Sequence, residues 1–304
     1  MLLKYALRNI LKRPVLNGIK LVGLSLGLCG VLFIALFLKN EFSYDKVHTN
    51  ADKTYRLTIT HPEIFEGNEF ARVSDSKIIP ELVKQIPEIQ TAVRLMPLRD
   101  KLILKDEQHY AIAQAFAVDE TFLQVFDVRF KDGDSNSALA EPGSAVLSIS
   151  LAKKVFGNKN PMGKVISLPP GHYNSLETDF IITGVMEDFA QQSHLHPDLL
   201  VMPGVDAISG WAYVYLLLKE KVNATGLTDK ISTTLNELQG IEIDNEAKIQ
   251  GHLMNIKEIH LKSNLLREIE PNGSMGNIYL LAIAAFILLF ISLSNFTSLN
   301  LGMA

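Results

Sequence analysis

The sequence is nearly free of cysteine, since Cys29 is the only one among 304 residues. A single thiol cannot form an intrachain disulfide, so the fold must rest on its hydrophobic core. Zinc sites built from several cysteines are excluded for the same reason. No H-E-x-x-H motif is present either, which removes the usual signature of a helical zinc protease.

Charge is missing from both ends of the chain. No acidic residue comes before Glu41, and no charged residue follows Glu270. Six of the 29 basic residues lie at or before Lys39, so the rest of the chain carries 23 basic and 33 acidic residues. The sequence therefore has a basic N-terminus and an acidic middle. Without a basic face, nucleic acid is not expected as a partner.

Residues 16–38 form an apolar run whose only charge is Lys20. A bilayer core about 30 Å thick needs roughly 20 such residues in a helix, so this run predicts a transmembrane helix in the lipid bilayer. Four basic residues precede it without an acid, which predicts a cytoplasmic N-terminus and an extracytoplasmic middle. A cleaved signal peptide is the alternative, but the run exceeds the usual apolar length of about 7–15 residues.

Residues 1–14 read as a cytoplasmic amphipathic segment. Apolar and basic positions alternate there at helical spacing, which suits the inner headgroup layer. A plain positive flank is the simpler reading. Within the span, Gly23, Gly27 and Gly30 form a face of small residues against which another helix can pack closely.

Residues 40–276 have the composition of a folded α+β domain, expected in two parts. Periodicity predicts strands at 55–60, 89–95, 102–104, 110–118, 144–149, 164–168, 179–185, 211–218 and 253–260, and helices at 75–85, 151–156 and 227–238. Ser150 is predicted to cap the second of these helices.

Residues 277–301 form a second apolar tract, predicted to be a second transmembrane helix. An end that faces the cytoplasm normally carries basic residues, and none follows this tract. The sequence is therefore expected to be truncated after this tract.

Motifs that would indicate chemistry are weak. Gly157, Gly163 and Lys164 resemble a phosphate loop, but the spacing is one residue too long and Val165 has no hydroxyl. His194 and His196 could share a metal on one strand face, although a polar loop with local hydrogen bonds is the better reading. No motif places a base beside Ser144 or Ser148. No catalytic, cofactor-binding or metal-binding residue is assigned, and an enzyme is not expected.

Several segments together resemble one known family, the MacB/FtsX-type ABC transporter permeases with a MacB-like periplasmic core domain, in their Bacteroidota form. The resemblance lies in these stretches: 6–12, 118–126, 133, 139–142, 150–157, 160–164, 180–189 and 193–196. It implies a periplasmic core domain over 40–276, with a porter-like part and an inserted β-rich part at about 119–203.

The resemblance further implies a bacterial inner-membrane, multi-pass protein that pairs with a cytoplasmic ABC ATPase. It implies a homodimer or a paired permease half, joined through the first span. It implies mechanotransmission: ATP hydrolysis by the partner would move the periplasmic domain to export or extract peptides, lipoproteins or antibiotics. The family continues beyond a second span, so this chain alone is not expected to transport.

Two other functions remain open. A membrane-anchored periplasmic regulator of the cell envelope would have the same architecture without moving a substrate. An envelope enzyme would rest only on the pair His194 and His196.

Overall fold

The computed structural model describes residues 14–62, 67–98, 102–105, 108–168, 179–220, 222–241 and 248–301. It divides the chain into two compact units. The helical unit combines Met1–Ser43 with Gly273–Ala304, and the sheet unit is Tyr44–Asn272. The predicted amphipathic segment lies almost entirely outside the described residues.

The helical unit contains two long helices. Helix α1 is Pro14–Glu41, and the last helix of the chain, α7, is Met275–Leu301. Both are long and apolar enough to cross a bilayer, over Asn17–Glu41 and Met275–Asn295. Their outward side chains are large and apolar, and Phe33 and Phe286 are among the most exposed. Such a surface is unfavourable in water and favourable in hydrocarbon.

The sheet unit is built on one mixed sheet. Its strands are β1 Thr54–Thr60, β2 Glu69–Phe70, β3 Ile89–Pro97, β4 Leu102–Lys105, β5 Gln108–Ala111, β6 Ala115–Val118, β7 Phe130–Asp132, β8 Ser144–Ser148, β9 Val165–Ser167, β10 Asp179–Met186, β11 Leu199–Met202, β12 Tyr213–Leu218 and β13 Gln250–Asn255. Its helices are α2 Ile79–Gln85, α3 Phe122–Val125, α4 Ile149–Phe156, α5 Ala224–Gln239 and α6 Ile256–Lys262, with 3-10 turns at Ser76–Ile78 and Val205–Ala207.

Among the described residues the strand order is β13-β1-β12-β3-β6-β11-β8-β10-β9-β4-β5, with β2 on β1 and β7 on β10. The pairs β6–β11 and β8–β10 are parallel, and the other pairs are antiparallel. The predicted inserted part joins the rest of the sheet through two pairs, β6–β11 and β4–β9. Strands β4 and β5 precede that part in sequence yet lie at its far edge. The division of the domain into two parts stays a prediction.

Strand β12 shows why the sheet is stable, because it is buried on both faces. Tyr213, Tyr215 and Leu217 belong to one hydrophobic cluster, while the alternate residues Val214 and Leu216 belong to another. Successive side chains of a strand point to opposite faces, so one strand contributes to both cores. Helices α2 and α5 cover the second cluster.

Three sequence predictions are wrong in detail. The strand predicted over 110–118 is two strands, because β5 pairs with β4 while β6 pairs with β3 and β11. Helix α4 begins two residues earlier than predicted, and Ser148 caps it by accepting from the Leu151 N–H at 3.1 Å. Ser150 instead donates to Asp188 at 2.6 Å.

The last predicted strand, 253–260, is half helix. Strand β13 ends at Asn255, whose side chain accepts from the Lys257 N–H at 3.1 Å and starts α6. Ile256, Ile259 and His260 then bury one face at helical spacing. An N-cap between two apolar stretches therefore decides the structure here.

A buried ion pair connects the centre of the sheet. The Arg94 guanidinium donates from Nε and Nη2 to the two carboxylate oxygens of Asp119 at 3.0 and 2.6 Å, and both residues are almost fully buried. Arg94 also donates to the carbonyl of Ile208 at 2.7 Å. The pair thus holds β3, the end of β6 and the loop before β12 together.

We expect Asp119→Ala to destabilise the protein by about 3–5 kcal/mol, since it leaves Arg94 buried without its counter-charge. Trp211, the only tryptophan, reports unfolding by its fluorescence in the full chain held in detergent micelles. Glu88→Ala, which removes the exposed ion pair with Lys230, is the control and should change the midpoint of the unfolding transition little. Equal shifts for the two variants would contradict this role of the Arg94 pair.

Candidate functional site

The first residues of the sheet unit are fixed to its core by a group of polar side chains, called here the first anchor: Asp45, Ser193, His194 and Tyr215. One carboxylate oxygen of Asp45 accepts from the Ser193 hydroxyl at 2.9 Å and lies 2.9 Å from His194 Nδ1. The Nε2 of His194 lies 2.7 Å from the Tyr215 hydroxyl. All four residues are buried.

The backbone conformation and the charge of Asp45 suit its position in the first anchor. Its backbone is left-handed, with φ of 54°, a conformation that aspartate tolerates better than most residues. Burial alone would raise the pKa of Asp45, but the neighbouring His194 and Ser193 lower it below its usual range. Asp45 is therefore a buried carboxylate that stays charged and holds its partners.

The second anchor fixes the last residues of the sheet unit: Arg56, Ser263, Glu268, Glu270, His196 and Gln114. Arg56 is fully buried in β1 and donates to both oxygens of Glu268 at 2.6 and 2.8 Å. It also donates to the Ser263 hydroxyl at 2.7 Å. Such a bidentate pair fixes the planes of both groups.

Glu270 is held in the same region by two side chains. Its Oε1 lies 2.7 Å from His196 Nδ1, and it also accepts from the Gln114 amide. The Glu270 carboxylate raises the pKa of His196 above its usual value, although partial burial opposes the change. His196 is thereby stabilised in its charged form.

The segment Ser193–His196 connects the two anchors. His194 reaches Asp45, 149 positions away in sequence, and His196 reaches Glu270, 74 positions away. The expected polar loop with local hydrogen bonds is thus a segment with long-range partners. No group of three or more His, Cys, Asp or Glu that could hold a metal ion occurs in the part of the chain that the structure describes.

The three glycines predicted to pack a helix lie on the face of α1 that contacts α7. A Cβ at Gly27 would collide with the Ser292 hydroxyl, and one at Gly23 would lie 3.1 Å from the Asn295 amide nitrogen. A Cβ at Gly30 would lie 3.6 Å from Leu288 Cδ1. Within the helical unit, this face is therefore occupied by the same chain. Its use by a second copy stays a prediction.

The other residues considered as chemical motifs in the sequence take part in turns and helix ends. Gly157 ends helix α4 with a φ of 62°, and its N–H donates to the Lys153 carbonyl. Gly163 follows a turn in which Asn160 accepts from the Met162 N–H at 3.0 Å. Ser144 donates to the Glu141 carbonyl at 2.6 Å. These contacts are those of turns and caps.

Sequence reasoning missed the principal anchor residues. The sequence could have pointed to Arg56, because a charge that lies between the apolar positions of a strand needs a buried partner. Glu268 and Glu270 carry a weaker signal, as the last charged residues before the second apolar tract. Which acid meets which base depends on the pairing of β1 with strands from the other end of the unit.

Comparison of the sequence with protein families matches the MacB-like periplasmic core domain over residues 18–234. That match covers more than half of the chain. No curated protein sequence matches.

Solved structures that are similar include a domain of a protein described as a permease from Porphyromonas gingivalis, with 20% identity and a TM-score of 0.52 over 76% of this chain and 98% of that one. The periplasmic region of MacB from Actinobacillus actinomycetemcomitans has 17% identity and a TM-score of 0.48, over 69% and 91%. The extracellular domain of the noncanonic ABC-type transporter YknZ from Gram-positive bacteria has 16% identity and a TM-score of 0.48, over 66% and 100%. The first of these shows a shared fold.

The stability of the second anchor should depend on pH, because His196 titrates. Its pKa is raised in the fold above the usual 6.5, so its stabilising effect is complete below that value and is lost as pH rises through the raised pKa. We expect faster amide exchange around Glu270 as pH goes from about 5.5 to about 8.5, after correction for intrinsic exchange. His196→Gln should remove this dependence. A wild-type dependence that persists in His196→Gln would contradict the assignment.

The packing of α1 against α7 should be sensitive to the size of the side chain at the glycine positions. We expect Gly27→Leu to separate α1 from α7, because the added side chain would occupy the place of Ser292. Cysteines at positions 30 and 288, in a Cys29→Ser background, report the contact by intrachain cross-linking in membranes. Gly18→Leu is the matched control, since nothing lies within 4 Å of a Cβ there. Unchanged cross-linking in Gly27→Leu would refute this packing.

Proposed function

The chain belongs to the family of the MacB-like periplasmic core domain, and from this membership we propose that it serves as a permease subunit of a MacB/FtsX-type ABC transporter. The observation that carries the proposal is the family match over residues 18–234, which includes most of α1 and the larger part of the sheet unit. The second apolar helix, α7, follows the sheet unit directly.

In this proposal both long helices span the bacterial inner membrane. The basic residues before α1 face the cytoplasm, and the sheet unit lies in the periplasm. The sheet unit is long, and long segments cross the membrane largely regardless of their charge, so its acidic character is compatible with this position.

The energy for transport comes from a separate cytoplasmic ABC ATPase, and the permease itself carries out no catalysis. ATP-driven association of the ATPase would move α1 and α7, and the sheet unit would move with them. The anchors support this idea, since Asp45 lies two positions after Ser43 and Glu270 three positions before Gly273. A displacement of either helix end therefore reaches a charged contact within a few residues, buried at Asp45 and partly exposed at Glu270.

The substrates are proposed to be peptides, lipoproteins or antibiotics, exported or extracted from the periplasmic side. The active assembly would contain two permease copies or a paired permease half. A periplasmic regulator without transport remains the second candidate, and the experiment below separates the two.

The test uses the protein, together with any coding sequence that continues in frame beyond residue 304, in lipid nanodiscs with each cytoplasmic ABC ATPase of its own organism. We expect one ATPase to bind and its hydrolysis rate to change when the permease is present. Glu270→Gln, which removes one charge of the second anchor, should reduce that coupling while leaving ATPase binding intact. Glu237→Gln, an exposed position on α5, is the matched control. If no ATPase binds, the permease function is wrong and the regulator is favoured.

A further inference from the structure

Asparagine is followed directly by glycine at two places in the chain, Asn17–Gly18 and Asn272–Gly273. Such a pair is prone to lose the side-chain amide, because the backbone nitrogen of the next residue attacks it and glycine has no side chain to obstruct that attack. The two pairs are identical in sequence, so only their surroundings in the fold distinguish them.

The first pair is protected by a helix. Asn17 and Gly18 lie near the start of α1, Pro14–Glu41. A helical ψ of about −42° holds the Gly18 nitrogen away from the Asn17 side chain, and the helical pattern commits the Gly18 N–H to the Pro14 carbonyl. The attack needs ψ of the asparagine to rotate and the following N–H to be free. Asn17 can therefore react only when the first turns of α1 open.

The second pair has no such protection. Asn272 and Gly273 lie between α6 and α7, outside any helix or strand. Neither residue is buried, and the Gly273 N–H makes no hydrogen bond with the residues that the structure describes. The residues on either side, Pro271 and Ser274, are exposed. The main chain at Asn272 is thus free of the two constraints that act on Asn17.

The Asn272 side chain makes one hydrogen bond, in which its amide nitrogen donates to the Ser263 carbonyl at 3.1 Å. Ser263 belongs to the second anchor, where its hydroxyl donates to Glu268 and accepts from Arg56. A carboxylate in place of the amide has no hydrogen to donate, and its negative oxygen would face the Ser263 carbonyl oxygen. This contact therefore depends on the amide that the reaction removes.

We propose that Asn272 is a site of spontaneous modification, at which the side-chain amide becomes a carboxylate while the amide of Asn17 is retained. The Gly273 nitrogen loses its proton and bonds to Cγ of Asn272, and the side-chain nitrogen leaves as ammonia. Water then opens the cyclic imide at either carbonyl, which gives aspartate or isoaspartate at this position. One water is consumed and one ammonia is released, without any oxidation or reduction.

Both products alter the connection between the sheet unit and α7. Aspartate removes the hydrogen bond to Ser263, and isoaspartate also adds a main-chain carbon at the junction, where Asn272 ends the sheet unit and Gly273 begins the helical unit. Because Glu268 and Glu270 lie close by in sequence, the new charge repels the carboxylates of the second anchor. The modification therefore loosens the last residues of the sheet unit.

The test keeps the full chain in a non-ionic maltoside detergent at mildly alkaline pH for several days. Digestion with pepsin in acid, where the attacking nitrogen stays protonated, is followed by mass spectrometry to give the converted fraction at each asparagine. Labelling by isoaspartyl methyltransferase identifies the isoaspartate product. We expect conversion at Asn272 to be at least about tenfold faster than at Asn17, since Asn17 reacts only from a locally opened helix.

Two variants serve as controls. Gly273→Ala leaves the asparagine but adds a methyl group that obstructs the nitrogen, and Asn272→Gln keeps a carboxamide that would have to form a larger, slower ring. We expect both to retain their amides. Amide exchange in the segment 263–272 should rise with the converted fraction in the aged wild type and stay constant in aged Asn272→Gln. Each protein is compared with its own fresh sample, so the effect of the substitution itself cancels.

The proposal is overturned if Asn272 keeps its amide, or if Asn272 and Asn17 convert at the same rate. Converted protein whose amide exchange is unchanged would contradict the effect on the second anchor. These measurements involve no ATPase, so a failure of the permease function would leave both results as they are.

Discussion

The buried guanidinium of Arg56 is the constraint on which the ends of the sheet unit depend. A charge inside a protein must be paired, and its partner here, Glu268, lies 212 positions later in the sequence. The first strand of the unit can therefore be buried only when the last residues before α7 have returned to it. Burial of β1 thus requires that Glu268, near the end of the unit, pairs with Arg56.

The first anchor and Ser193–His196 extend that constraint. Asp45 stands at the beginning of the unit and Glu270 near its end, and neighbouring histidines hold both. A segment in the middle of the chain is thereby attached to the two places where the unit meets the apolar helices in sequence. Because hydrogen bonds to charged groups are stronger than neutral ones, these contacts hold both ends of the unit firmly to the segment between them.

Much of the fold was predictable from local patterns. The apolar runs around Cys29 and Phe286 predict the two long helices, and alternating apolar and polar residues such as those around Leu57 predict strands. The errors occur where a single polar residue decides. Asn255 turns a strand into a helix, and Ser148 takes the capping role predicted for Ser150. Periodicity cannot resolve such competition, because several side chains offer an equivalent cap.

The sequence by itself determined the two long apolar helices, the acidic α+β middle and, through its combined motifs, the family. These follow from composition and local periodicity, which depend on neighbours within a few residues. Only the tertiary structure decided that His194 and His196 face different partners and that Gly27 meets Ser292. Those contacts join residues far apart in the chain, and strand pairing and packing, rather than local sequence, bring them together.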